Sequence, residues 1–499
     1  MGVIRRQGIK KSLILYFGVL IGIASTLYIY PLEEDIYGLA RFLLSMAGLL
    51  APFLSWGVNS LAIRFFPVFR DKQTGHQGFL GLLLLLSTSC FVLLGTILFY
   101  SRSYLYELLR TAGMDVAIFS KNLLETGILA LLIINATIVT SYISNFRRIT
   151  VPGIFNSLYV KIGIPVLVLL YYFQKIQVTE FKAGLIILHA LIFVSLLIYT
   201  FYLGELYLRP RFSFLSGKLI KSMFSYSSYG VFASLGATIA FRIDTIMTAS
   251  LMGFASTGVY SIADNIAGVI ATPFKSINEI SAPIFAQHMN DREYDKVSKL
   301  YKSSAITLLI VGLGLLISIY VSIDSIFSLS AQYDTLIQGE KVVLLLGLAK
   351  VVDMSTGLNT YIISYSHLYK WGLVWMAILC VLNIGFNLTF IPEFGITGAA
   401  LATLLSMIIS NIIRFIFVWL KFKMQPFGWG SAWVVVIGGL AYILGSIIPG
   451  TGYHLLDIIV KSGITFITFG GLVWYFNFSP DISNFASMIL ARVRRFTGI

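Results

Sequence analysis

Two apolar segments decide the fold of this chain: YSSYGVFASLGATIAFRIDTIMTAS at residues 226–250 and GVYSIADNIAGVIATPFKSINEISAPIFAQ at residues 258–287. Each is longer than the ~20 residues that cross a bilayer as a helix. Both nevertheless contain charged residues, among them Arg242, Asp244 and Asp264. A charge at membrane depth is costly unless it faces water or a partner, so it marks a functional position. The two segments therefore predict a membrane protein organised around a polar interior.

Composition places the whole chain in the same class. Of its 499 residues, 57% are hydrophobic and 12% are charged, and the mean hydropathy is +0.86. A soluble domain carries about 25% charged residues. The net charge of +14 comes from basic residues spread over short loops, which suits membrane topology and gives no reason to expect a nucleic-acid partner. Cys90 and Cys380 fall within apolar segments and are interpreted as small buried residues.

Hydropathy predicts an all-α integral membrane protein with about fourteen transmembrane helices, each of roughly 20 residues. If the N-terminus lies inside and the helices alternate, most basic residues fall on the inner side, as the positive-inside rule requires. Both termini are then cytoplasmic. The charged stretch HMNDREYDKVSKLYK at residues 288–302 is interpreted as an amphipathic helix on the inner surface. The predicted helices are centred near residues 21, 52, 89, 131, 163, 192, 238, 270, 313, 353, 381, 408, 438 and 468.

An internal repeat relates the second predicted helix to the eighth. The second contains AGLLAPFLS at residues 47–55, and the eighth contains AGVIATPFKS at residues 267–276. Both helices run in the same direction, so the match predicts two six-helix bundles related by a pseudo-two-fold axis along the membrane normal. A chance match between common membrane residues is the alternative. The predicted domains are an N-terminal six-helix bundle at 1–205, a C-terminal six-helix bundle at 206–424, and two additional helices with a basic cytoplasmic tail at 425–499.

Two pairs of opposite charge lie about one turn apart on predicted helices. Lys275 and Glu279 are spaced i,i+4, and Lys350 and Asp353 are spaced i,i+3. Side chains at these spacings meet on one helix face, so each pair can neutralise itself. We favour a structural ion pair for both, with a place in the lining of the polar interior as the alternative.

Other charges have no such partner on their own helix. Lys161 lies in the middle of its helix with no acid within one turn, and Arg242 and Asp244 point to different faces. We favour a cavity position for Lys161 and Arg242 over a buried pair between helices. Asp264 is a candidate partner of either. The candidate substrate-binding residues are therefore Lys161, Arg242, Asp244, Asp264, Lys275, Lys350 and Asp353.

The sequence contains no recognisable catalytic or metal-binding pattern. The five histidines lack metal-ligand spacing, and the acid pairs are interfacial or neutralised within a helix. A Gly-rich phosphate-binding loop with its lysine is also missing from the sequence. We therefore predict a transporter rather than an enzyme, with no metal and no cofactor.

A resemblance to a known family rests on three stretches, in helix two, helices seven to eight and helices eleven to twelve. They are YGLARFLLSMAGLLAPFLSWGVNSLAIRFF (37–66), FRIDTIMTASLMGFASTGVYSIADNIAGVIATPF (241–274) and NIGFNLTFIPEFGITGAALATLLS (383–406). The chain resembles the polysaccharide (O-antigen type) flippases of the multidrug/oligosaccharidyl-lipid/polysaccharide exporter superfamily. The position of Asp244 after Arg242 and Ile243 resembles the family's usual placement of an acid in helix seven.

The resemblance implies a bacterial inner-membrane protein of lipopolysaccharide (O-antigen) synthesis. Such a flippase moves undecaprenyl-pyrophosphate-linked oligosaccharide units from the cytoplasmic to the periplasmic leaflet. The implied partners are this lipid-linked oligosaccharide, membrane lipid and the polysaccharide polymerase machinery. Fixed cations in a hydrated cavity suit the anionic head of the substrate. A multidrug or toxic-compound cation antiporter of the same superfamily is the alternative, and an acid-dominated site would distinguish it.

Cysteine labelling tests the predicted topology. Asn290 and Leu420 both lie on the predicted inner side, so a single cysteine at either position should not react with a membrane-impermeant thiol reagent applied from outside. A cysteine in the predicted outer segment 101–119 should react and is the positive control. Labelling of position 290 or 420 from outside would contradict the arrangement.

Overall fold

The computed structural model describes residue 18 and residues 20–148, 150–368 and 370–483, without the side chains at 232–235, 237, 240–241, 275–276 and 279–280. All secondary structure within these ranges is helical, with no strand. Nine helical stretches there are long and apolar enough to cross a membrane. The prediction of an all-α, multi-pass membrane protein is confirmed. The chain divides into two compact units, Met1–Gly258 and Val259–Ile499.

The first unit is built from long helices that pack side by side. They are α1 (Glu34–Leu54), α2 (Phe79–Thr111), α3 (Leu123–Ser144), α4 (Thr150–Tyr172), α5 (Val178–Tyr202), α6 (Gly217–Met252) and the start of α7 (Phe254–Gly268). Helix α3 lies at the centre, in contact with α1, α2 and α5, while α6 packs along α1. The contact between α1 and α6 is the one on which the candidate site depends.

The second unit is arranged around a central helix. Its helices are α8 (Thr272–Asn290), α9 (Tyr294–Val321), α10 (Glu340–Ser355), α11 (Trp371–Phe422), α12 (Trp429–Ser446) and α13 (His454–Tyr475). Helix α9 contacts α8, α10, α12 and α13, and α10 packs against α11. Ser462 on α13 shares a hydrogen bond with Ser322, at the end of α9, at 2.8 Å. The two C-terminal helices are therefore packed into this unit.

Breaks within two long helical stretches bear on the helix count. The stretch Leu20–Leu54 is broken at Glu33, where φ is −147° and ψ is 72°. Helix α11 is 52 residues long and is broken at Gly395, where φ is 61° and ψ is −139°. Each stretch thus contains two of the predicted helices. The predicted centres near 238, 270 and 353 fall in α6, in α7 together with α8, and in α10, respectively. The count of about fourteen is consistent with these helices and stays a prediction, as do the domain boundaries.

The charged segment 288–302 does not form the separate surface helix that its sequence suggests. After a turn in which Arg292 has a φ of 59°, α9 begins at Tyr294 and continues unbroken. Val297 and Tyr301 are fully buried. Because these side chains give the segment an apolar face that packs in the second unit, the segment is the first part of a long apolar helix.

A buried histidine–glutamate contact joins two connections of the first unit. His76 Nε2 lies 2.8 Å from Glu205 Oε2, and the residues are 3% and 8% exposed. The backbone N–H of Asp71 donates to His76 Nδ1 at 3.1 Å, so Nδ1 accepts and Nε2–H donates to the carboxylate. The Tyr142 hydroxyl donates to the Glu205 carbonyl at 3.1 Å. The segment after α5 is therefore tied to the turn before α2.

The turn that carries His76 has an uncommon backbone conformation. His76 and Gln77 have φ values of 51° and 55°, in the left-handed region that residues with a Cβ rarely occupy. The opposite segment bonds to this turn through Arg211 N–H and the Gln77 carbonyl at 3.0 Å. A strained backbone persists only where surrounding contacts hold it in place. The buried His76–Glu205 pair and the Arg211–Gln77 hydrogen bond are such contacts.

Removing the carboxylate of the buried pair should destabilise the first unit. Glu205→Ala leaves the His76 Nε2–H without its acceptor, which costs about 1–3 kcal/mol for a buried donor. We expect a lower Tm for the detergent-solubilised variant. Glu107→Ala is the control, because Glu107 pairs with Arg110 where both side chains are about two-thirds exposed. Equal Tm values for Glu205→Ala and the parent protein would show that the contact does not stabilise the fold.

Candidate functional site

Arg242 on α6 is held against the backbone of α1. Its Nη1 donates a hydrogen bond to the Leu44 carbonyl at 2.9 Å. Gly48, one turn further along α1, leaves room for the guanidinium: a Cβ built on Gly48 would lie 2.6 Å from Arg242 Cζ. A partly buried guanidinium needs acceptors for its five N–H donors, and the carbonyl satisfies one of them. The contact fixes a positive charge within an apolar helix pair.

Arg41 brings a second guanidinium to the same pair of helices. It lies on α1 about one turn before Leu44, it is partly buried, and its charge acts on that of Arg242. Like charges repel more strongly where the dielectric constant is low, so the charge of Arg41 raises the cost of placing Arg242 here. Sequence alone places Arg41 at the outer start of the second helix and assigns it no role. Its proximity to Arg242 becomes visible only with α6 packed on α1.

Asp244 and Asp264 lie in different units. Asp244 is 7% exposed, whereas Arg242 is only partly buried, which fits side chains directed to different faces of α6. Asp264 is partly buried on α7, in the second unit. Both acids take part in polar or electrostatic contacts. The prediction that Asp264 pairs with Lys161 or Arg242 stays a prediction.

Lys161 on α4 is directed toward the first helical segment of the chain. A Cβ built on Gly18 would lie 3.5 Å from both Cδ and Nζ of Lys161. The side chain is partly buried, and within the described ranges no carboxylate lies within 4.0 Å of Nζ. Lys161 lies beside Gly18 of the first helical segment, whereas Arg242 is bonded to Leu44 of α1. The predicted cavity position of Lys161 stays a prediction.

The ion pair favoured for Lys350 and Asp353 is absent from the described residues, so that interpretation is wrong. Asp353 Oδ1 instead accepts a hydrogen bond from Asn411 Nδ2 on α11 at 3.3 Å. The Asn411 side-chain oxygen in turn accepts from Thr356 Oγ1 at 2.8 Å. A neutral amide on the facing helix thus replaces the lysine as the partner of the carboxylate.

The side chains of Lys275 and Glu279 lie outside the described residues, so their pairing stays a prediction.

A second polar contact inside the second unit was not among the candidate residues. Asn387 Nδ2 donates to Asn383 Oδ1 at 2.7 Å on α11, and the two residues are 0% and 1% exposed. Their i,i+4 spacing in the stretch NIGFN is a signal that sequence reasoning could have used, because buried amides in membrane helices mark helix contacts or polar sites. Among the described residues, no group of three or more His, Cys, Asp or Glu is placed to hold a metal ion.

The family of the chain follows from comparison with known proteins. Residues 13–289, more than half of the chain, match the family described as polysaccharide biosynthesis protein. The chain belongs to this family. A similar curated protein is the probable low-salt glycan biosynthesis flippase Agl15 of Haloferax volcanii, with 22% identity over 239 residues. That match covers 46% of this chain and 49% of Agl15, about half of each protein.

Solved structures show the same fold. The lipid II flippase MurJ in an inward closed conformation has a TM-score of 0.69 at 15% identity, covering 94% of this chain and 99% of that chain. An inward-facing multidrug resistance MATE family transporter of the MOP superfamily has a TM-score of 0.62 at 13% identity, covering 81% and 94%. At these identities the similarity establishes the fold alone. The family match confirms the resemblance to a polysaccharide biosynthesis family, and the fold is one that a flippase and a transporter of known structure share.

Thiol labelling tests whether Lys161 faces water. In a variant with Cys90 and Cys380 replaced by Ser, Lys161→Cys should react readily with a water-soluble methanethiosulfonate reagent. Ile162→Cys is the matched control: Ile162 is 42% exposed, next in sequence and apolar, which suits a lipid-facing position. It should react slowly. Equal rates at the two positions would show that α4 does not present Lys161 to an aqueous cavity.

Proposed function

We propose that this protein is a flippase that translocates undecaprenyl-pyrophosphate-linked oligosaccharide units across the bacterial inner membrane for O-antigen polysaccharide synthesis. It works by alternating access through a polar, cationic cavity, while the lipid tail of the substrate remains in the bilayer. The observation that carries the proposal is the Arg242 guanidinium, fixed on the backbone of α1 with the charge of Arg41 nearby.

The chemistry of the pyrophosphate group fits these cations. A guanidinium is planar and always charged, and it binds phosphate oxygens through paired N–H donors. Arg242 uses one Nη1 hydrogen on the Leu44 carbonyl, which fixes the plane in which its other donors can meet an anion. Lys161, with no carboxylate within 4.0 Å among the described residues, offers a further point charge in the same unit. Asp244, Asp264, Lys275, Lys350 and Asp353 stay proposed as further substrate-binding residues.

Family membership supports a role in polysaccharide synthesis. Agl15 is named a probable flippase of glycan biosynthesis, and MurJ is named a lipid II flippase. On this basis we propose that the protein spans the membrane several times with both termini cytoplasmic. We also propose that it works with the polysaccharide polymerase machinery and that it transports its substrate without enzymatic chemistry.

A multidrug cation antiporter is the second candidate, because the fold is also similar to that of the MATE transporter. Electrostatics distinguishes the two functions. A cationic drug would be repelled by the fixed charge of Arg242, whereas a pyrophosphate would be attracted. Two assays of Asp244→Asn separate the functions: drug resistance conferred by the protein, and polysaccharide in a strain that depends on it. Loss of resistance together with normal polysaccharide would favour the antiporter.

Substitution of the two cations tests the flippase. Arg242→Ala or Lys161→Ala removes a charge-assisted hydrogen bond of about 1.5–3 kcal/mol, which corresponds to about ten- to a hundredfold in substrate binding. We expect loss of surface polysaccharide when either variant replaces the native protein in a flippase-null strain. Arg242→Lys should retain more activity than Arg242→Ala, because the charge survives although the planar fork is lost.

The control for this test is Lys296→Ala. The side chain of Lys296, in the first turn of α9, is 59% exposed and pairs with Glu293 at 2.7 Å, so its loss should leave polysaccharide unchanged. Protein level is measured for each variant. Normal polysaccharide with Arg242→Ala and Lys161→Ala at normal protein level would mean that these cations do not carry the substrate.

A further inference from the structure

We propose that Gly48 is a positioning residue for Arg242: the missing side chain makes a notch in α1 that receives the guanidinium and holds it in a binding-ready orientation. The inference rests on the proposed role of Arg242 in binding the anionic head of the substrate. It concerns a residue that contacts Arg242 and acts through it.

The notch is defined by three distances. A Cβ on Gly48 would lie 2.6 Å from Arg242 Cζ, 2.7 Å from Nη1 and 2.9 Å from Nε. Real Cβ atoms essentially never approach other heavy atoms closer than 3.0 Å. Arg242 can therefore occupy its place only because residue 48 has no side chain. The atoms in conflict belong to the far end of a flexible side chain, so a methyl group here would displace the guanidinium and leave the two helices packed.

The notch and the Leu44 carbonyl act together on the guanidinium. The Leu44 carbonyl accepts a hydrogen bond from Arg242 Nη1 at 2.9 Å, and the missing side chain at Gly48 lets the guanidinium plane lie along α1. A long side chain that is already ordered loses less conformational entropy when it binds a ligand. The remaining N–H donors are thus presented in a fixed geometry, as bidentate recognition of a phosphate requires.

The second copy of the repeat provides an internal comparison. Gly268 occupies the position of Gly48 in AGVIATPFKS, yet among the described residues nothing lies within 4 Å of a Cβ built on it. In the second copy, therefore, no arginine of the described residues occupies the space beside this glycine. Gly268→Ala is the matched control for Gly48→Ala.

Arginine modification tests the notch without reference to transport. Phenylglyoxal is applied to the purified full-length protein, and adducts at Arg242 are quantified by mass spectrometry. In Gly48→Ala the freed guanidinium should react about tenfold faster, the factor expected for the loss of one charge-assisted hydrogen bond. Gly268→Ala should react like the parent. Gly184→Ala, whose Cβ would lie 2.5 Å from Leu167 Cδ2, controls for crowding of an apolar side chain.

A double-mutant cycle connects the notch to transport. Gly48→Ala should lower polysaccharide export in the complemented strain about tenfold. The second background is Arg242→Lys, which retains export, because export that is already lost in Arg242→Ala cannot fall further. In the Arg242→Lys background Gly48→Ala should add little further loss, since an ammonium lacks the planar fork that fills the notch and Gly48 acts only through the guanidinium.

The outcomes separate the two proposals. Unchanged phenylglyoxal reactivity of Arg242 in Gly48→Ala overturns the notch, whatever transport does. Faster modification with normal export keeps the notch and overturns the role of Arg242 in carrying the substrate. If Gly48→Ala fails to accumulate, Gly48→Ala with Arg242→Ala must restore folded protein, because the conflict is gone. Failure of that double variant to accumulate would also overturn the notch.

Discussion

A guanidinium within an apolar helix pair must find an acceptor, and Arg242 finds it in the carbonyl of Leu44. This bond links α6 to α1 at a level where Gly48 lets the side chain approach the backbone. The charge of Arg41 on α1 acts on the same guanidinium. The first unit therefore holds a positive charge in place on a fixed backbone acceptor.

Hydropathy was sufficient to predict the fold class, because apolar length decides membrane insertion before any packing detail matters. The prediction also singled out Arg242, whose lack of a partner on its own helix could be read from spacing. Its acceptor could not be found, since every residue has a carbonyl and the sequence carries no signal for Leu44. The predicted ion pair between Lys350 and Asp353 was wrong for a related reason. Asn411 on a facing helix donates to the Asp353 carboxylate, and spacing within one helix carries no information about a facing helix.

The repeated motif has two local structures. In the first copy, α1 continues through Pro52 to Leu54. In the second copy, a 3₁₀ turn at Val269–Ala271 precedes Pro273, which lies at the start of α8. A proline inside a helix frees a carbonyl, whereas a proline in the first turn frees none. The two stretches thus share a sequence pattern but place their prolines differently in the helix.

The break in α11 has a consequence for how this stretch can cross a membrane. As one straight helix its 52 residues would extend about 78 Å at 1.5 Å per residue, far beyond a hydrocarbon core of about 30 Å. Gly395 lies in a region of φ and ψ that is open in practice only to glycine. One residue therefore divides this stretch into two helices, each of which is long enough to cross a membrane.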